Sequence, residues 1–520
     1  MALTVGLLNP PCLTARGSLS YFEGAPPLGL AYIAGALRAA GHRVVVVDAL
    51  GEAVDHYTPF PCSQGQLVAQ GLTIEQIVDR LPADLDVLGV GNLFLHEVRF
   101  LQALLPRIRA RFPHLPIFLG GENATGMWED LLALLPEISG CVLGEGEEAF
   151  LRLAAVLERA DDLSQAPSLG YRVDGAPRRT APAGRIRALD DLAWPAWDLF
   201  PVERYLAAGI MSGVNRGASL PILTSRGCPF SCAFCSAPAM WGTTYVSRSP
   251  DRLLDEIEHL MHRYQVTNFD FRDLTTALTK PWIRAFHAEV MRRGARFTWQ
   301  IPQGTRSEQL DREALTLLYE TGLRNFGYAL ESVSAPVIDR MRKKVKPARL
   351  MGSLREALRL PLRLEVFFIV GYPGETRASH LATVRTIAGL ALRGVHAISL
   401  IPFNPYPGSE DYARYRRGGG LTMDDSYIYS SLFRTVGQHP AVRSTFSNRY
   451  LVSFSLFCLV LFYGLQFLSR PWRAARSAWN LARRRQETIL DQFLAVKARQ
   501  WIRFRDKWTG VAVSAMTFME

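Results

Sequence analysis

Three cysteines stand within eight residues, in the run Arg226-Gly227-Cys228-Pro229-Phe230-Ser231-Cys232-Ala233-Phe234-Cys235. The spacing is C-x3-C-x2-C, directly after an apolar segment that reads as a strand. Thiolates bind soft metals, and a tetrahedral zinc site wants four protein ligands. Three neighbouring thiolates suit a [4Fe–4S] cluster held through three irons, with the fourth iron open to the amine and carboxylate of a small molecule. The alternative is a structural zinc site completed by His259 or His262, three apart on a predicted helix. The other cysteines, at 12, 62, 141 and 458, are scattered. The chain therefore lacks a secreted disulfide framework and suits a reducing compartment.

The elements that must position these thiols follow from pattern. A length of 520 residues suggests about three domains. A composition 48% hydrophobic and 21% charged excludes disordered and collagen-like chains. Over residues 1–150, apolar runs at 4–9, 44–49, 86–92, 116–121 and 141–146 alternate with helical patterns at 28–40 and 97–112. That alternation predicts an α/β domain with a doubly wound parallel sheet. Residues 151–219 read as a connector packed on both neighbours through Trp194 and Trp197. A second series fills 220–415, with strands at 221–226, 267–273, 296–303, 325–332, 363–372 and 397–403. Six repeats predict a partial (βα)6 barrel with its site at the strand ends. Residues 416–520 read as mainly helical, hydrophobic and then basic. The N-terminus shows neither a basic n-region nor a long apolar run, so a cytoplasmic location is expected.

The cysteine spacing, with Phe234 before the last cysteine, resembles the radical S-adenosylmethionine (SAM) superfamily over roughly 216–412. In that family the open iron chelates the methionine end of SAM. One electron then releases a 5′-deoxyadenosyl radical that abstracts a hydrogen atom. The resemblance implies further SAM-binding positions. Phe269-Asp270-Phe271-Arg272-Asp273 replaces the first of two acidic residues by Arg272, so Asp273 alone carries over. Arg306, in Gln303-Gly304-Thr305-Arg306, is placed near the SAM carboxylate. Glu331 and Ser332, in Tyr328-Ala329-Leu330-Glu331-Ser332, match a ribose element whose glycine is Ala329 here. Gly371 opens the fifth-strand turn Gly371-Tyr372-Pro373-Gly374-Glu375-Thr376. Singly, a Glu-Ser pair reads as a helix cap and Gly-Tyr-Pro-Gly as a turn.

The first domain carries no G-x-G-x-x-G after its first strand, which sets a dinucleotide aside. It instead resembles the cobalamin-binding domain that precedes many radical SAM barrels. The matching pieces are Leu8-Asn9-Pro10-Pro11, Pro26-Pro27-Leu28-Gly29-Leu30, Gly120-Gly121-Glu122 and Val142-Leu143-Gly144-Glu145-Gly146-Glu147-Glu148. The resemblance implies cobalamin at Pro10, Pro11, Leu28, Gly29, Gly120, Gly121, Glu122, Gly144, Glu145 and Gly146, with Asn92 and Leu93 facing the corrin. Glycines after the fourth strand let backbone approach a bulky ligand. The aspartate-x-histidine-x-x-glycine cobalt-ligand motif is missing, and His96 reads as a surface histidine opening a helix. The alternative is a domain that serves only as scaffold.

The stretch 451–468 holds no charge and would span about 27 Å as a helix, short for a bilayer. From Arg470 to Trp508 stand eleven Lys/Arg and three acids, a net +8 of the chain's +11. Trp472, Trp479, Trp501 and Trp508 lie there too. These suit a helix at a membrane surface through 451–508. The alternative is a helix buried against the barrel with a solvated basic tail. Nucleic acid is not expected, since no recognition motif accompanies the charge.

Together the resemblances imply a cobalamin-dependent radical SAM C-methyltransferase using a [4Fe–4S] cluster, SAM, cobalamin and an external one-electron donor. One SAM methylates the cobalamin, and a second yields the radical that activates a substrate carbon to accept the methyl group. The hydrophobic C-terminus points to a small lipophilic or aromatic substrate. Radical oxidation or ring closure without methyl transfer, as in anaerobic porphyrin-ring cyclases, is the alternative within the class. A non-catalytic iron–sulfur or cobalamin sensor would need an effector domain, and the sequence shows none.

Overall fold

The run Arg-Val-Val-Val-Val-Asp at 43–48 is apolar along its length rather than alternating, as strands of covered parallel sheets are. The computed structural model describes residues 2–15, 24–63, 66–211, 213–277, 279–433 and 446–507, with backbone alone at 433 and 500–507. In it five strands run parallel: β1 (Thr4–Asn9), β2 (Arg43–Asp48), β3 (Val87–Gly91), β4 (Ile117–Gly120) and β5 (Gly140–Val142). Their order is β2-β1-β3-β4-β5, so the winding reverses between β1 and β3. Strand alternation divides the core. Val5 and Leu7 of β1 face α1 (Leu28–Ala39) and α3 (Gly146–Glu158), while Leu8 faces α2 (Val98–Arg111).

The segment 151–219 does more than connect. It supplies most of α3 and two antiparallel strands, β6 (Leu169–Val173) and β7 (Ala176–Arg179), that extend the sheet beyond β5. The boundary expected at 150 falls inside α3. Cys12–Ala15, Tyr57–Phe60 and Leu67–Gln70 form a small antiparallel sheet that periodicity did not reveal.

The second unit is an open barrel of six parallel strands in chain order. They are β8 (Ser219–Ile222), β9 (Asn268–Phe271), β10 (Thr298–Thr305), β11 (Leu323–Glu331), β12 (Arg363–Val370) and β13 (Ala397–Pro402). Helices α4 (Pro250–Tyr264), α5 (Lys280–Arg293), α6 (Arg312–Glu320), α7 (Pro347–Ala357) and α8 (Arg377–Arg393) alternate with them. The Thr376 hydroxyl accepts from the Ser379 N–H and starts α8. One apolar core runs from the first sheet through Ala196, Trp197 and Phe200 into the barrel.

The uncharged stretch becomes α9 (Asn448–Ser469), the one helix among the described residues long and apolar enough to cross a membrane. Its inner face, Leu451, Phe454, Cys458 and Phe462, is buried in the barrel core beside α8. Gln466 Nε2 donates to the Val395 carbonyl just before β13. The helix thus stands where the sixth barrel helix belongs, as the buried-helix alternative requires. Its outer face remains exposed. After it come α10 (Pro471–Ala482) and a helix over Ile489–Lys507. Trp508 and the Trp501 side chain lie outside the described residues.

This packing has a direct test. Phe462 is fully buried, so Phe462→Ala should cost about 3–5 kcal/mol of unfolding free energy in a urea titration, through lost burial plus a cavity. A loss below about 1 kcal/mol would show that α9 is not a barrel element.

Candidate active site

The C-terminal strand ends of the first sheet and of β8 and β9 of the barrel look into one cleft, which encloses about 1780 Å³ of empty space including its open mouth. An open α/β sheet takes ligands at such strand ends, beside the switch point. Eleven of the residues expected at cobalamin line the cleft. Pro10 and Pro11 follow β1, Leu28 and Gly29 begin α1, and Leu93 follows β3. Gly120, Gly121 and Glu122 stand at the end of β4, and Gly144, Glu145 and Gly146 after β5. The barrel contributes Pro221, Leu223, Arg226, Met240, Trp241 and Arg272.

Three expectations change. Asn92 does not face the cleft; it is fully buried, accepting from Asn123 Nδ2 at 2.7 Å and donating to Glu97 at 3.0 Å. Glu97 also accepts from the Leu93 and Phe94 N–H groups, which fixes the loop and pushes both side chains out into the cleft. Burial raises the Glu97 carboxyl to about 7. His96 is not on the surface. It is buried in the cleft wall, stacked on Phe94 with ring centres 5.3 Å apart, and its Nδ1 has no partner. Burial lowers its pKa to about 4, so the ring is neutral near pH 7. Gly121, at φ +120°, would bring a Cβ within 2.7 Å of the Asn92 carbonyl oxygen, so the turn itself demands glycine. Gly120 differs: a Cβ there would meet nothing nearer than 4.0 Å. With Gly29 also open, the wall leaves room for a broad planar group such as a corrin.

The cysteine loop begins directly after Arg226, which lines this cleft. Gly227 has φ +82°, and a Cβ there would run into the Thr244 carbonyl. Ala233 anchors the loop, its N–H donating to Met341 O and its carbonyl accepting from the Asp411 N–H, both at 2.9 Å. Asp273 departs from its expected role. It is buried and accepts from the Thr224 N–H at 2.8 Å, the Ser225 N–H at 3.1 Å and the Thr224 hydroxyl. It braces the strand leading to the cysteines rather than facing a ligand.

Cys228, Cys232 and Cys235 are partly buried and free of disulfides. Burial raises all three thiols, Cys235 to about 12, and each of Cys232 and Cys235 is raised further by its neighbours. Arg306 and Lys343 pull Cys228 and Cys232 back down. Among the described residues no three His, Cys, Asp or Glu side chains, the three thiols included, stand together as a ready mononuclear site. His259 instead packs against Trp194, the ring centres 5.2 Å apart and the planes tilted by 46°. A single ion needs its ligands in one coordination sphere, whereas a cluster spreads its thiolates over several irons. The donor set fits the cluster.

Arg306, Glu331 and Gly371 stand at or just beyond the ends of β10, β11 and β12. The Arg306 guanidinium lies 3.7 Å over the Phe230 ring, pairs with Glu308 at 3.1 Å, and keeps Nε and Nη1 buried without partners. Glu331 holds φ +63° and an ion pair to Lys343 at 2.9 Å. Gly371, at φ +80°, donates its N–H to Glu375 at 2.7 Å. Phe234 packs on Met341, Ile369, Tyr372 and neighbouring apolar side chains. Ser332 accepts from the Ser334 N–H, a local contact before the helix Ala335–Arg340, whose N-cap is Ser334 rather than Ser332. Lys343 escaped the sequence reading, because its run Arg340-Met341-Arg342-Lys343-Lys344 looks like a solvated basic loop.

Arg226 ties the walls together. It directly precedes Gly227-Cys228, is buried, and reaches Glu145 and Glu147 at the start of α3, with Nη1 3.2 Å from each carboxylate. Arg185 holds Glu145 from the other side at 2.7 Å. Glu145 thus lines the cleft with its carboxylate already engaged. Burial opposes the Arg226 charge, but Glu147 and Glu145 outweigh it and raise its pKa above the ordinary arginine value. A second tie runs from Ser236 to Glu122 at 2.5 Å. Arg226→Met should cost about 3–5 kcal/mol, because buried Glu147 loses its partner and Glu145 keeps only Arg185 as a counter-charge. Urea unfolding and proteolysis at the connector would read this; a variant as stable and resistant as wild type would contradict it.

Comparison with known proteins now adds to this geometry. The B12 binding domain family matches residues 20–154, and the Radical SAM superfamily matches residues 222–387. An uncharacterized methyltransferase of Pyrococcus horikoshii is 25% identical over 403 residues, 78% of this chain and 81% of the relative. The anaerobic magnesium-protoporphyrin IX monomethyl ester cyclase of Synechocystis is 29% identical over 68% of this chain and 65% of its own. The radical SAM methyltransferase TsrM of Kitasatospora setae, solved with cobalamin and a [4Fe–4S] cluster, superimposes with a TM-score of 0.63. That match covers 81% of this chain and 76% of TsrM at 19% identity, a likeness of fold. The protein thus joins a B12-binding domain and a radical SAM domain in one chain, as relatives named cobalamin-dependent radical SAM methyltransferases do.

Proposed function

We propose that the protein is a cobalamin-dependent radical SAM C-methyltransferase acting on a small lipophilic or aromatic biosynthetic intermediate. One observation carries this reading: the glycine turns of the first sheet form one wall of a cleft whose barrel wall includes Arg226, two residues before the first of the three cysteines. On this reading Cys228, Cys232 and Cys235 hold the [4Fe–4S] cluster. Arg306, with its two unpartnered nitrogens, receives the SAM carboxylate. Glu331 and Gly371 flank the nucleoside. Pro10, Gly29, Gly120, Gly144 and Leu93, which line the cleft, would hold cobalamin. When bound, SAM at the cluster supplies a 5′-deoxyadenosyl radical and cobalamin supplies a methyl group.

The chain's own work is to bind, orient and exclude water. The positive charges of Arg306 and Lys343 favour the thiolate forms that iron requires. Leu28, Leu93, Phe94 and Trp241 make much of the lining apolar, which supports a lipophilic or aromatic substrate and keeps water from reactive carbon. An external one-electron donor starts the chemistry, and the reducing cytoplasm keeps the thiols available. The likeness to a cyclase supports a second reading, ring formation without methyl transfer.

Anaerobic reconstitution with iron, sulfide, SAM, cobalamin and a reductant separates the two. Methyl transfer yields 5′-deoxyadenosine and S-adenosylhomocysteine together; deoxyadenosine alone would overturn it in favour of the cyclase-like reading. Cys228→Ala, Cys232→Ala or Cys235→Ala should each abolish the iron–sulfur absorbance and deoxyadenosine, whereas Cys62→Ala should keep both. A Cys232→Ala protein with a normal cluster would refute the ligand assignment. Gly120→Val fits its backbone and fills the cleft wall. It should lower bound cobalamin roughly tenfold or more while the cluster absorbance stays intact; equal cobalamin content would favour the scaffold alternative.

A further inference from the structure

A barrel helix that buries one face normally shows water a polar one. Helix α4 obeys: its exposed positions are Asp251, Arg252, His259, His262 and Arg263. Helix α9 does not. Opposite the face buried in the core stand Val452, Leu456, Phe457, Val460 and Leu468, from 44% to 83% exposed. Val452, Leu456 and Val460 follow the four-residue spacing that lines one side of a helix. Beyond the Arg470 break, α10 adds Trp472 and Trp479, both more than half exposed.

The charge around this strip has one sign. From Ser426 to Gln486 the sequence contains no Asp or Glu and nine Arg. Arg449 precedes the strip, and Arg483, Arg484 and Arg485 follow it, all exposed. Arg483 lies over the Trp479 ring at 4.5 Å. No acidic partner within ion-pair distance is seen for these four among the described residues.

We propose that the outer face of α9 with the start of α10 is a docking surface for an anionic phospholipid bilayer, with α9 lying in the plane of the interface. Spanning is excluded, because Leu451, Phe454, Cys458 and Phe462 are committed to the barrel core. Indole rings beside an apolar strip suit the headgroup boundary, and arginines without counter-charges suit anionic headgroups. A second copy fits poorly: a two-fold contact through this face would set arginine against arginine with no acid between them. The proposal does not depend on which reaction the cleft performs. It gives the enzyme a place where a lipophilic molecule is concentrated. Helix α9 also enters the site's surroundings directly. Its Tyr450 hydroxyl contacts His380 Nδ1 at 3.1 Å, and His380 Nε2 contacts Glu375, the acceptor of the Gly371 N–H, at 2.9 Å.

The test is flotation of the full-length protein, carrying its cluster, with vesicles of phosphatidylcholine plus phosphatidylglycerol and with phosphatidylcholine alone. We expect binding to the anionic vesicles that weakens, without vanishing, at about 1 M salt, where screening shortens to about 3 Å. The double variant Leu456→Glu/Val460→Glu, both positions exposed, should lower the bound fraction roughly tenfold with an unchanged melting temperature and cluster absorbance. Arg483→Gln/Arg484→Gln/Arg485→Gln should lower binding to anionic vesicles and leave the phosphatidylcholine control unchanged. A full-length protein that ignores anionic vesicles would overturn the proposal. So would a lipid-free dimer that the glutamate variant converts to monomer, since that assigns the face to a second copy.

Discussion

Arg226 is the contact on which the rest of this structure depends. A guanidinium withdrawn from water is costly unless carboxylates and aromatic faces take the place of solvent. Here Glu145 and Glu147 come from the turn that closes the first sheet, and the rings of Tyr32 and Trp241 stand 5.2 and 5.7 Å away. Two residues later comes Cys228. One buried charge therefore fixes the cysteine loop of the barrel against the glycine turns of the other unit. Such a pair contributes modest net stability, but its geometry is strict. That strictness holds the two walls at a fixed separation.

The groups around the cleft divide into those that position and those that face the opening. Asp273, Asn92 and Glu97 are polar residues spent inside the protein, each accepting from or donating to backbone or side chains of a loop that ends at the cleft. What the loops present to the cleft is apolar or cationic: Leu93, Phe94 and Arg272. The absence of a general-base or nucleophile constellation in the sequence agrees with this arrangement. A hydrogen-atom abstraction needs a shielded substrate carbon held near the radical source, and no side chain has to ionise for it.

How much of this could be read from the sequence depended on whether a signal is local. The cysteine spacing, the Val44–Val47 run and the glycines after β4 and β5 are local, and strands and turns formed there. Partners distant in sequence were invisible. Asp273 looked like a ligand because nothing around it shows that Thr224 and Ser225, nearly fifty residues earlier, would consume its carboxylate. Asn92 was expected to face the corrin because its partner Asn123 arrives from another turn. Gly121 was assigned to ligand approach, whereas its φ of +120° belongs to the turn. His96 was read as a surface residue, since no periodicity reports a ring buried against Phe94. Helix α9 is the reverse case: hydrophobicity all round its surface hid the fact that one side is core and the other is not.

The central claim is that cobalt and cluster share one cleft across the Arg226 junction. Electron paramagnetic resonance on protein carrying both cob(II)alamin and the reduced cluster tests it most directly. If the cleft is as described, the cobalt signal will show dipolar broadening or faster relaxation than in a Cys232→Ala protein that lacks the cluster. Identical cobalt relaxation in the two proteins would mean that the cofactors sit apart, and the shared-cleft account would fail.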